Sequence, residues 1–445
     1  MARPNASFPV PVRKLSSLPD LLRLAAGNPE RYPYLLETHG SAGWAIVFAF
    51  PQGSEIAQQN DSEPFLPRLD RLWREQRVAA TDEFLPFHGG WFVYLGYELL
   101  HQIEPTVVPA SYAGVFPLAV MTRIPAAVLV DKQAGEAWLF AEEAFSACLD
   151  LMQQDLSALN EPAEQELTFN ALYEEPGETF LQGVERIKRY ILEGDVFQVN
   201  LSREWRLASE RPVDPAALYA RLRRANPAPF AGLARFGDKA VVSSSPERLA
   251  EVRRGRIQTR PIAGTYARIG DAAEDARLRE ELLQHPKERA EHVMLVDLER
   301  NDLGRICLPG SVKVDELMQV ASYAFVHHIE STVSGQLRPD VTPGEVLRAL
   351  FPGGTITGCP KVRTMQIIAE LERNSREAYT GSMGYLNHDG DMDLNILIRT
   401  LMVWDNTVRF KAGAGIVADS QPERELRETR AKARGLLRAL GAAET

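Results

Sequence analysis

This 445-residue chain contains little cysteine, and that scarcity excludes several kinds of protein. The three cysteines, Cys148, Cys307 and Cys359, stand far apart and form neither a CxxC pair nor a metal-ligand spacing. Isolated thiols in a long chain are typical of a reducing compartment rather than of a disulfide framework. We therefore expect a cytoplasmic protein without disulfide bonds or a cysteine-based metal site.

The chain also lacks a long apolar run and a surplus of basic residues. No stretch of about 18 uncharged apolar residues occurs, and the N-terminus has no apolar signal-peptide core. The 50 Lys and Arg residues stand against 60 Asp and Glu residues, which gives a formal net charge of −10. We expect neither membrane association nor general nucleic-acid binding, since the latter requires a basic surface.

One seam divides the chain. Residues 156–178 are acidic and contain Pro162, Pro176 and Gly177, so they predict a linker or surface excursion. The seam separates a region over 1–165 from a region over 172–440, which we expect to be intertwined as one unit. A length of 445 residues with 45% apolar content allows a large core.

Apolar runs bounded by Pro and Gly predict strands, and apolar stripes with helical spacing predict helices. The predicted strands are 44–50, 90–95, 126–130, 196–205, 240–244, 249–253 and 256–259. The predicted helices are 179–193, 275–300, 362–372 and 421–440. Strands and helices do not alternate strictly, so this order predicts a mixed α+β fold rather than a doubly wound sheet.

Two of these helices carry carboxylates beside residues that favour burial. Glu288 and Glu291 lie on one helical face together with Leu295. Glu425 and Glu428 repeat the spacing in the last helix. Buried carboxylates need a cation partner, and a group of carboxylates suits Mg²⁺. The alternative is that both helices expose these charges to solvent.

Glycines and one arginine suggest an anion site. The segment Phe351-Pro-Gly-Gly-Thr-Ile-Thr-Gly-Cys-Pro-Lys precedes a predicted helix, and Ala412-Gly-Ala-Gly-Ile-Val is a second glycine-rich segment. Such glycines let backbone N–H groups approach a ligand, and a helix start favours an anion. Arg399 follows a strand-like run and is able to hold a carboxylate bidentately. The alternatives are an ordinary turn and a surface arginine.

Two residues are candidates for acid–base chemistry. Glu247 follows the β-branched pair Val241 and Val242 at a strand-to-loop junction, where burial would raise its pKa. It is also able to pair with the adjacent Arg248. His328 lies in a strand-like segment, where a structural hydrogen bond is the ordinary alternative to catalysis.

Nine motifs in a fixed order carry a resemblance to one family. They are Gly194-Asp-Val-Phe-Gln-Val-Asn-Leu-Ser, Ser244-Ser-Pro-Glu-Arg, Arg260-Pro-Ile-Ala-Gly-Thr, Lys287-Glu-Arg-Ala-Glu-His, Asp297-Leu-Glu-Arg-Asn-Asp-Leu-Gly-Arg, His328-Ile, the 351–363 loop, Ile398-Arg-Thr and Gly413-Ala-Gly-Ile-Val-Ala-Asp-Ser. The sequence resembles the chorismate-utilising enzymes: anthranilate synthase component I, aminodeoxychorismate synthase component I, and the isochorismate and salicylate synthases. The resemblance implies two large, mainly antiparallel β-sheets packed as a sandwich with helices outside.

The resemblance also implies individual roles. Glu291 and Glu428 match direct ligands of Mg²⁺, and Glu288 and Glu425 match residues that reach it through water. Glu247 matches the acid that helps the C4 hydroxyl of chorismate to leave. His328 matches a histidine beside the reacting ring, and the matching substrate-binding positions are Thr355, Tyr379, Arg399, Ala414, Gly415 and Lys432.

Two positions bear on the reaction. The isochorismate and salicylate synthases are similar in carrying a lysine base where this chain has Gln198, and an amide cannot act as a base. Ammonia from a separate glutaminase subunit, component II, is therefore the expected nucleophile. The overall pattern resembles aminodeoxychorismate synthase. Ala263, however, replaces the lysine nucleophile of that enzyme's best-known members and resembles anthranilate synthase.

Several alternatives stay open. Amination at C2 with loss of pyruvate would make the chain an anthranilate synthase component I. A catalytically inactive homologue that serves as a binding partner is an alternative of another class. Family members also carry a tryptophan pocket, and Glu37, Pro229 and Phe230 resemble its lining.

Overall fold

The computed structural model describes residues 11–40, 42–79, 84–108, 114–159, 167–268, 271–322 and 326–442. In chain order the strands are β1 (Val12–Lys14), β2 (Tyr34–Glu37), β3 (Trp44–Ala49), β4 (Ser54–Ala57), β5 (Gly90–Leu95), β6 (Ala119–Ile124), β7 (Ala126–Asp131), β8 (Glu136–Ala141), β9 (Phe169–Glu174), β10 (Gln198–Ser209), β11 (Phe230–Phe236), β12 (Lys239–Ser245), β13 (Arg248–Arg253), β14 (Arg256–Thr259), β15 (Ile262–Ala267), β16 (Lys313–Ser322), β17 (Val326–Gln336), β18 (Gly358–Cys359), β19 (Ser382–Asn387), β20 (Met392–Asn395), β21 (Thr400–Trp404) and β22 (Thr407–Ile416).

The helices lie mainly between groups of strands. They are α1 (Leu21–Gly27), α2 (Phe65–Gln76), α3 (Leu100–Ile103), α4 (Cys148–Ser157), α5 (Gly177–Leu192), α6 (Pro215–Ala225), α7 (Ala272–Gln284), α8 (Pro286–Gly304), α9 (Pro343–Leu350), α10 (Lys361–Leu371) and α11 (Pro422–Ala439). Short 3₁₀ turns occur at Tyr97–Leu99, Glu143–Phe145 and Gly354–Ile356. Among the described helices, none is long and apolar enough to cross a bilayer.

The strands form two antiparallel sheets. The first has the order β1-β8-β7-β3-β2-β11-β12-β21-β22-β10-β18, with β9 also pairing with β10. The second has the order β15-β17-β14-β13-β20-β19-β5-β6-β4, with β16 also pairing with β17. Each sheet contains strands from both sides of residue 165. The expected α+β fold, with two large antiparallel sheets and helices outside them, is confirmed.

Aromatic side chains fill the space between the sheets. Tyr34 of the first sheet stacks on Phe92 of the second, with ring centroids 3.9 Å apart. Phe48, Phe87 and Phe140 are fully buried in the same cluster. Rings of this size contribute much of the apolar area that stabilises such a core. Helices α1, α4, α6 and α11 pack on the outer face of the first sheet, and α2, α8 and α9 pack on that of the second.

Two connections between the sheets run side by side. One joins β12 to β13 through Glu247, and the other joins β20 to β21 through Arg399. The backbone N–H of Ser244 donates to the carbonyl of Arg399 at 3.1 Å, and that of Ile396 donates to the carbonyl of Glu247 at 3.0 Å. Arg399 has a φ of 51°, an uncommon value for a residue with a side chain, so the turn holds this arginine in a defined direction.

Two local predictions were wrong. The helix expected over 275–300 is two helices, α7 and α8, because Pro286 disfavours the helical conformation at His285, whose ψ is 113°. The expected linker over 156–178 contains β9, which pairs with β10 from Phe169 to Glu174. Leu172 and Tyr173 are more than one-third exposed because β9 is an edge strand, so its sequence lacks a clear apolar pattern.

Candidate active site

Glu247 is a buried acid at the first sheet-to-sheet connection. Its side chain is 5% exposed, and it does not pair with Arg248, whose guanidinium instead contacts Asp393 at 2.9 Å. Burial raises the pKa of Glu247 to about 8; the Thr355 hydroxyl lowers it in part, and the carboxyls of Glu299 and Glu330 raise it further. Glu247 therefore retains its proton at neutral pH and is able to donate it.

Arg399, on the neighbouring connection, provides a cation. Burial lowers the pKa of its guanidinium, and the nearby Glu247 carboxyl opposes that effect. A guanidinium remains charged in proteins all the same. Within the described ranges Arg399 forms no ion pair. Its charge is thus available to an anionic ligand beside Glu247.

His328 lies on β17 beside these groups, in a neutral form. Its Nδ1 donates to the carbonyl oxygen of Gly264 at 3.2 Å, which defines the tautomer. Burial and the charges of Arg399 and Lys432 lower the pKa of the imidazole to about 3. Ala263, on the adjacent strand β15, is 7% exposed and brings no nucleophile to the site.

The glycine-rich end of β22 forms another wall. Strand β21 pairs with β22 only as far as Phe410, so the following residues are paired with β10 alone. A Cβ atom at Gly413 would lie 2.8 Å from Tyr379 Oη. Lys432 Nζ donates to the carbonyl oxygen of Gly413 at 3.1 Å. Glycine is needed here because Tyr379, itself buried, approaches the backbone closely.

Two residues further along β22, Gly415 contacts the first carboxylate helix. Gln198 Nε2 donates to Glu291 Oε1 at 2.7 Å, and a Cβ at Gly415 would lie 2.3 Å from that nitrogen. Ala414, between the two glycines, is fully buried. A Cβ at Gly264 would lie 3.0 Å from Glu288 Oε2. The carboxylate face of α8 is thus directed at the strands that carry the site.

The second carboxylate helix, α11, reaches the same part of β22. Glu425 is 3% exposed, whereas Glu428 forms an ion pair with Lys432 at 2.9 Å. These oxygen donors suit a hard cation such as Mg²⁺. Within the described residues, however, no three His, Cys, Asp or Glu side chains are grouped closely enough to hold a metal. The donor chemistry fits Mg²⁺, and both helices bring a side chain to this part of β22: Lys432 of α11 donates to Gly413, and Glu291 of α8 lies near Gly415.

The three remaining candidates line a separate cavity. Glu37, Pro229 and Phe230 lie around a cavity of about 510 Å³ between the sheets. Arg248, which follows Glu247 in the chain, lines its other side. The structure therefore separates these three residues from the rest, and the turn that carries Glu247 and Arg248 lies between the two regions.

Sequence reasoning missed two buried residues near the site. Glu299 of α8 is 7% exposed and lies against the 3₁₀ turn that carries Thr355. Arg376 is 1% exposed and donates to the carbonyl oxygens of Ile356, at 3.2 Å, and Asn200, at 2.7 Å. The motif containing Glu299 was recognised, but nothing in its charged sequence indicated burial of that carboxyl.

Comparisons with known proteins identify the family of this chain. The model of the chorismate binding enzyme family matches residues 31–438. An anthranilate synthase component I-like protein of Synechocystis is 43% identical over 80% of this chain and 74% of its own length. Aminodeoxychorismate synthase component 1 of Bacillus subtilis is 40% identical over 99% of this chain and 98% of its own.

A solved structure supports the same assignment. Anthranilate synthase component I from Streptococcus pneumoniae has a TM-score of 0.80 and 32% identity, covering 89% of this chain and 92% of that one. Relatives of both names thus match most of the chain. The chain belongs to the chorismate binding enzyme family.

Proposed function

We propose that this chain aminates chorismate to 4-amino-4-deoxychorismate, towards 4-aminobenzoate and folate. Gln198 is the observation that carries the proposal. Its amide is buried and hydrogen-bonded to Glu291, and an amide cannot remove a proton from water. Ammonia needs no such base, so it suits this site as the nucleophile. The match to the Bacillus subtilis aminodeoxychorismate synthase component 1 over nearly all of both chains supports this choice.

The side chains around Gln198 suit that reaction. Glu247 holds a proton that it donates to the C4 hydroxyl as the carbon–oxygen bond breaks. Arg399 and Tyr379 hold the enolpyruvyl carboxylate, because a free guanidinium binds a carboxylate strongly. Thr355 and Lys432 contact other substrate oxygens, and the neutral His328 lies beside the ring without competing for the proton.

Magnesium is part of the proposal. Glu291 and Glu428 would hold the ion directly, with Glu288 and Glu425 acting through water. When bound, Mg²⁺ supplies positive charge to the ring carboxylate of chorismate. Glu428→Gln should abolish turnover and weaken the thermal stabilisation of the protein by Mg²⁺. Retention of both properties would contradict the assignment of these ligands.

We further propose that the ammonia comes from a glutaminase subunit. The relatives named component 1 are subunits by name, and their likeness to this chain supports such a partner. Glutamine should support turnover only after the glutaminase subunit is added, whereas ammonium salt should support it in the isolated chain. Turnover with glutamine by the isolated chain would contradict the need for a partner.

Ala263 favours a second candidate, anthranilate synthase component I, in which amination occurs at C2 and pyruvate is lost. One assay separates the two. The chain is incubated with chorismate, Mg²⁺ and ammonium salt, and fluorescence is recorded. We expect chorismate to be consumed without fluorescence and 4-aminobenzoate to form once the lyase of the folate pathway is added. Fluorescent anthranilate would establish the second candidate, and unchanged chorismate would support an inactive homologue.

We also propose that the inter-sheet cavity binds tryptophan. Its volume of about 510 Å³ suits an amino acid, and its lining combines Phe230 with the charged Glu37 and Arg248. Calorimetric titration with tryptophan should give saturable binding that Phe230→Ala weakens. An absence of heat at millimolar tryptophan would contradict this proposal.

A further inference from the structure

A second buried carboxyl lies on the far side of the turn from Glu247. Glu299 of α8 is 7% exposed, and a Cβ at Gly354 would lie 3.7 Å from its Oε1. The next residue of the turn, Thr355, has its hydroxyl beside the Glu247 carboxyl. Consecutive residues of one 3₁₀ turn therefore separate the two acids.

The cations near Glu247 and Glu299 either form ion pairs with other carboxylates or lie nearby without pairing with these two acids. The charged groups that act on them are Glu330, Asp302, Lys361, Arg399 and Lys432. Glu330 pairs with Arg260 at 2.7 Å, and Asp302 pairs with Lys361 at 2.7 Å. Over the described ranges neither Glu247 nor Glu299 forms an ion pair.

A buried carboxyl without a cation keeps its proton, because the ionised form is poorly solvated. Burial and the nearby Asp302 carboxyl raise the pKa of Glu299 to about 7, while Lys361 and the Thr259 hydroxyl lower it in part. The proton on Glu299 thus lies one turn of chain away from Glu247, the acid whose proton the reaction consumes.

We propose that Glu299 is a proton reserve of the active site, which returns a proton to Glu247 after each turnover. This inference rests on the proposed function, with Glu247 as the acid. In that reaction ammonia forms the carbon–nitrogen bond, the C4–oxygen bond breaks, and the hydroxyl leaves as water with the proton of Glu247. The Glu247 carboxylate then takes the proton of Glu299 through the Thr355 hydroxyl or a water molecule, and Glu299 is reprotonated from solution.

Glu299→Gln tests this role, because the amide keeps the size and neutrality of the protonated acid but cannot donate its proton onward. In rapid-mixing experiments with chorismate, Mg²⁺ and saturating ammonium salt, the first turnover of E299Q should match that of the parent protein. Later turnovers should be slower by roughly 10- to 100-fold at about pH 7, where both acids of the parent protein still hold protons and Glu247 of the variant must recover its proton directly from solution. The expected signature is a burst of one product per enzyme.

The control is Asp297→Asn on the same helix, whose side chain is 64% exposed and pairs with Arg300. It should show no burst. Equal slowing of the first and later turnovers in E299Q would indicate a structural role and overturn the proposal. Unchanged kinetics in E299Q would also overturn the proposal. A shifted pH profile of E299Q without a burst would overturn it as well.

A second measurement does not depend on turnover. Infrared spectra of the free protein at neutral pH should contain a C=O stretch from protonated carboxylic acids, and both E299Q and E247Q should reduce it. If E299Q leaves this band unchanged, Glu299 holds no proton and the inference is wrong even if the enzyme is active. If the band behaves as expected but the parent protein leaves chorismate unchanged, the proposed function fails instead.

Discussion

Two buried regions of the molecule use carboxyl groups in opposite ways. Glu247 as a whole residue is only 5% exposed. The side chain of Glu372 is also only 5% exposed. Burial raises the pKa of Glu247 to about 8, whereas the charges of Arg376 and Lys411 outweigh burial at Glu372 and lower its pKa to about 2. The difference teaches that a paired cation, rather than the degree of burial, determines whether a buried carboxyl is an acid or an anion.

The ionic region, formed by Glu372, Arg376 and Lys411, has a positioning role. The acidic region around Glu247 lacks such a role. Arg376 contacts Glu372 at 2.6 Å and donates to the backbone of the turn that carries Thr355 and to that of β10. Its guanidinium also lies 5.5 Å from the ring centroid of Tyr379. The fixed charges therefore orient three walls of the site, while the unpaired acids remain able to exchange protons.

The largest expected effect comes from breaking the ionic region. Arg376→Met removes the cation and leaves Glu372 buried with Lys411 alone, so we expect a loss of about 3–5 kcal/mol in the free energy of unfolding. Urea denaturation measures it. Arg277→Met, which removes an exposed ion pair on α7, is the matched control and should have no measurable effect. Similar losses in both variants would remove the basis of the comparison.

The acidic region should respond in activity rather than in stability. Glu247→Gln replaces a neutral acid with a neutral amide of the same size, so the fold should be retained at pH 7 and should be no less stable than that of the parent protein. Turnover of chorismate with ammonium should fall by about 10²- to 10⁴-fold, as expected for loss of a general acid. Glu281→Gln, at an exposed position of α7, should leave turnover unchanged. A destabilised but active E247Q would contradict the role given to this acid.

The pH dependence of stability should have opposite signs in the two regions. Glu372 has a folded pKa below its ordinary 4.5, so its stabilising contribution is present above that pH and is lost as the pH falls towards about 2. Glu247 has a folded pKa above its ordinary 4.5, so stability is lost as the pH rises from 4.5 to about 8. Urea titrations across pH should show the stability of E247Q gaining on that of the parent protein over the second interval. A constant difference would contradict the raised pKa.

Local sequence patterns predicted many elements but not how they meet. The strands Gly90–Leu95 and Arg256–Thr259 have the predicted bounds because turn residues flank their apolar runs. The family resemblance identified the sandwich fold as a whole. No local pattern shows that β12 pairs with β21, about 160 residues later, and this pairing brings the connections of Glu247 and Arg399 together.

The same limit applies to the buried charges. Glu372 and Arg376 lie in a polar stretch, Glu372-Arg-Asn-Ser-Arg, that is typical of an exposed loop. Their burial depends on partners such as Asn200, which is 176 positions away in the chain. Glu299 likewise has the composition of a solvated helix face, and only the approach of Gly354 shows otherwise. Glu247 was indicated by its place at a strand end, which is a local feature.

The smallest expected effect comes from removing one hydrogen bond to Glu372. It tests whether the ionic region depends on each of its hydrogen bonds. Ser202 Oγ donates to Glu372 Oε1 at 2.8 Å, while the backbone N–H of the same residue donates to that oxygen at 2.9 Å. Ser202→Ala removes only the first bond, so unfolding should become easier by about 1 kcal/mol, and the pKa of Glu372 should rise slightly. Ser157→Ala, which removes an exposed hydroxyl bonded to Gln153, is the control and should change neither. If S202A is as unstable as R376M, the anion depends on each hydrogen bond rather than on its cations, and the contrast with Glu247 would have another cause.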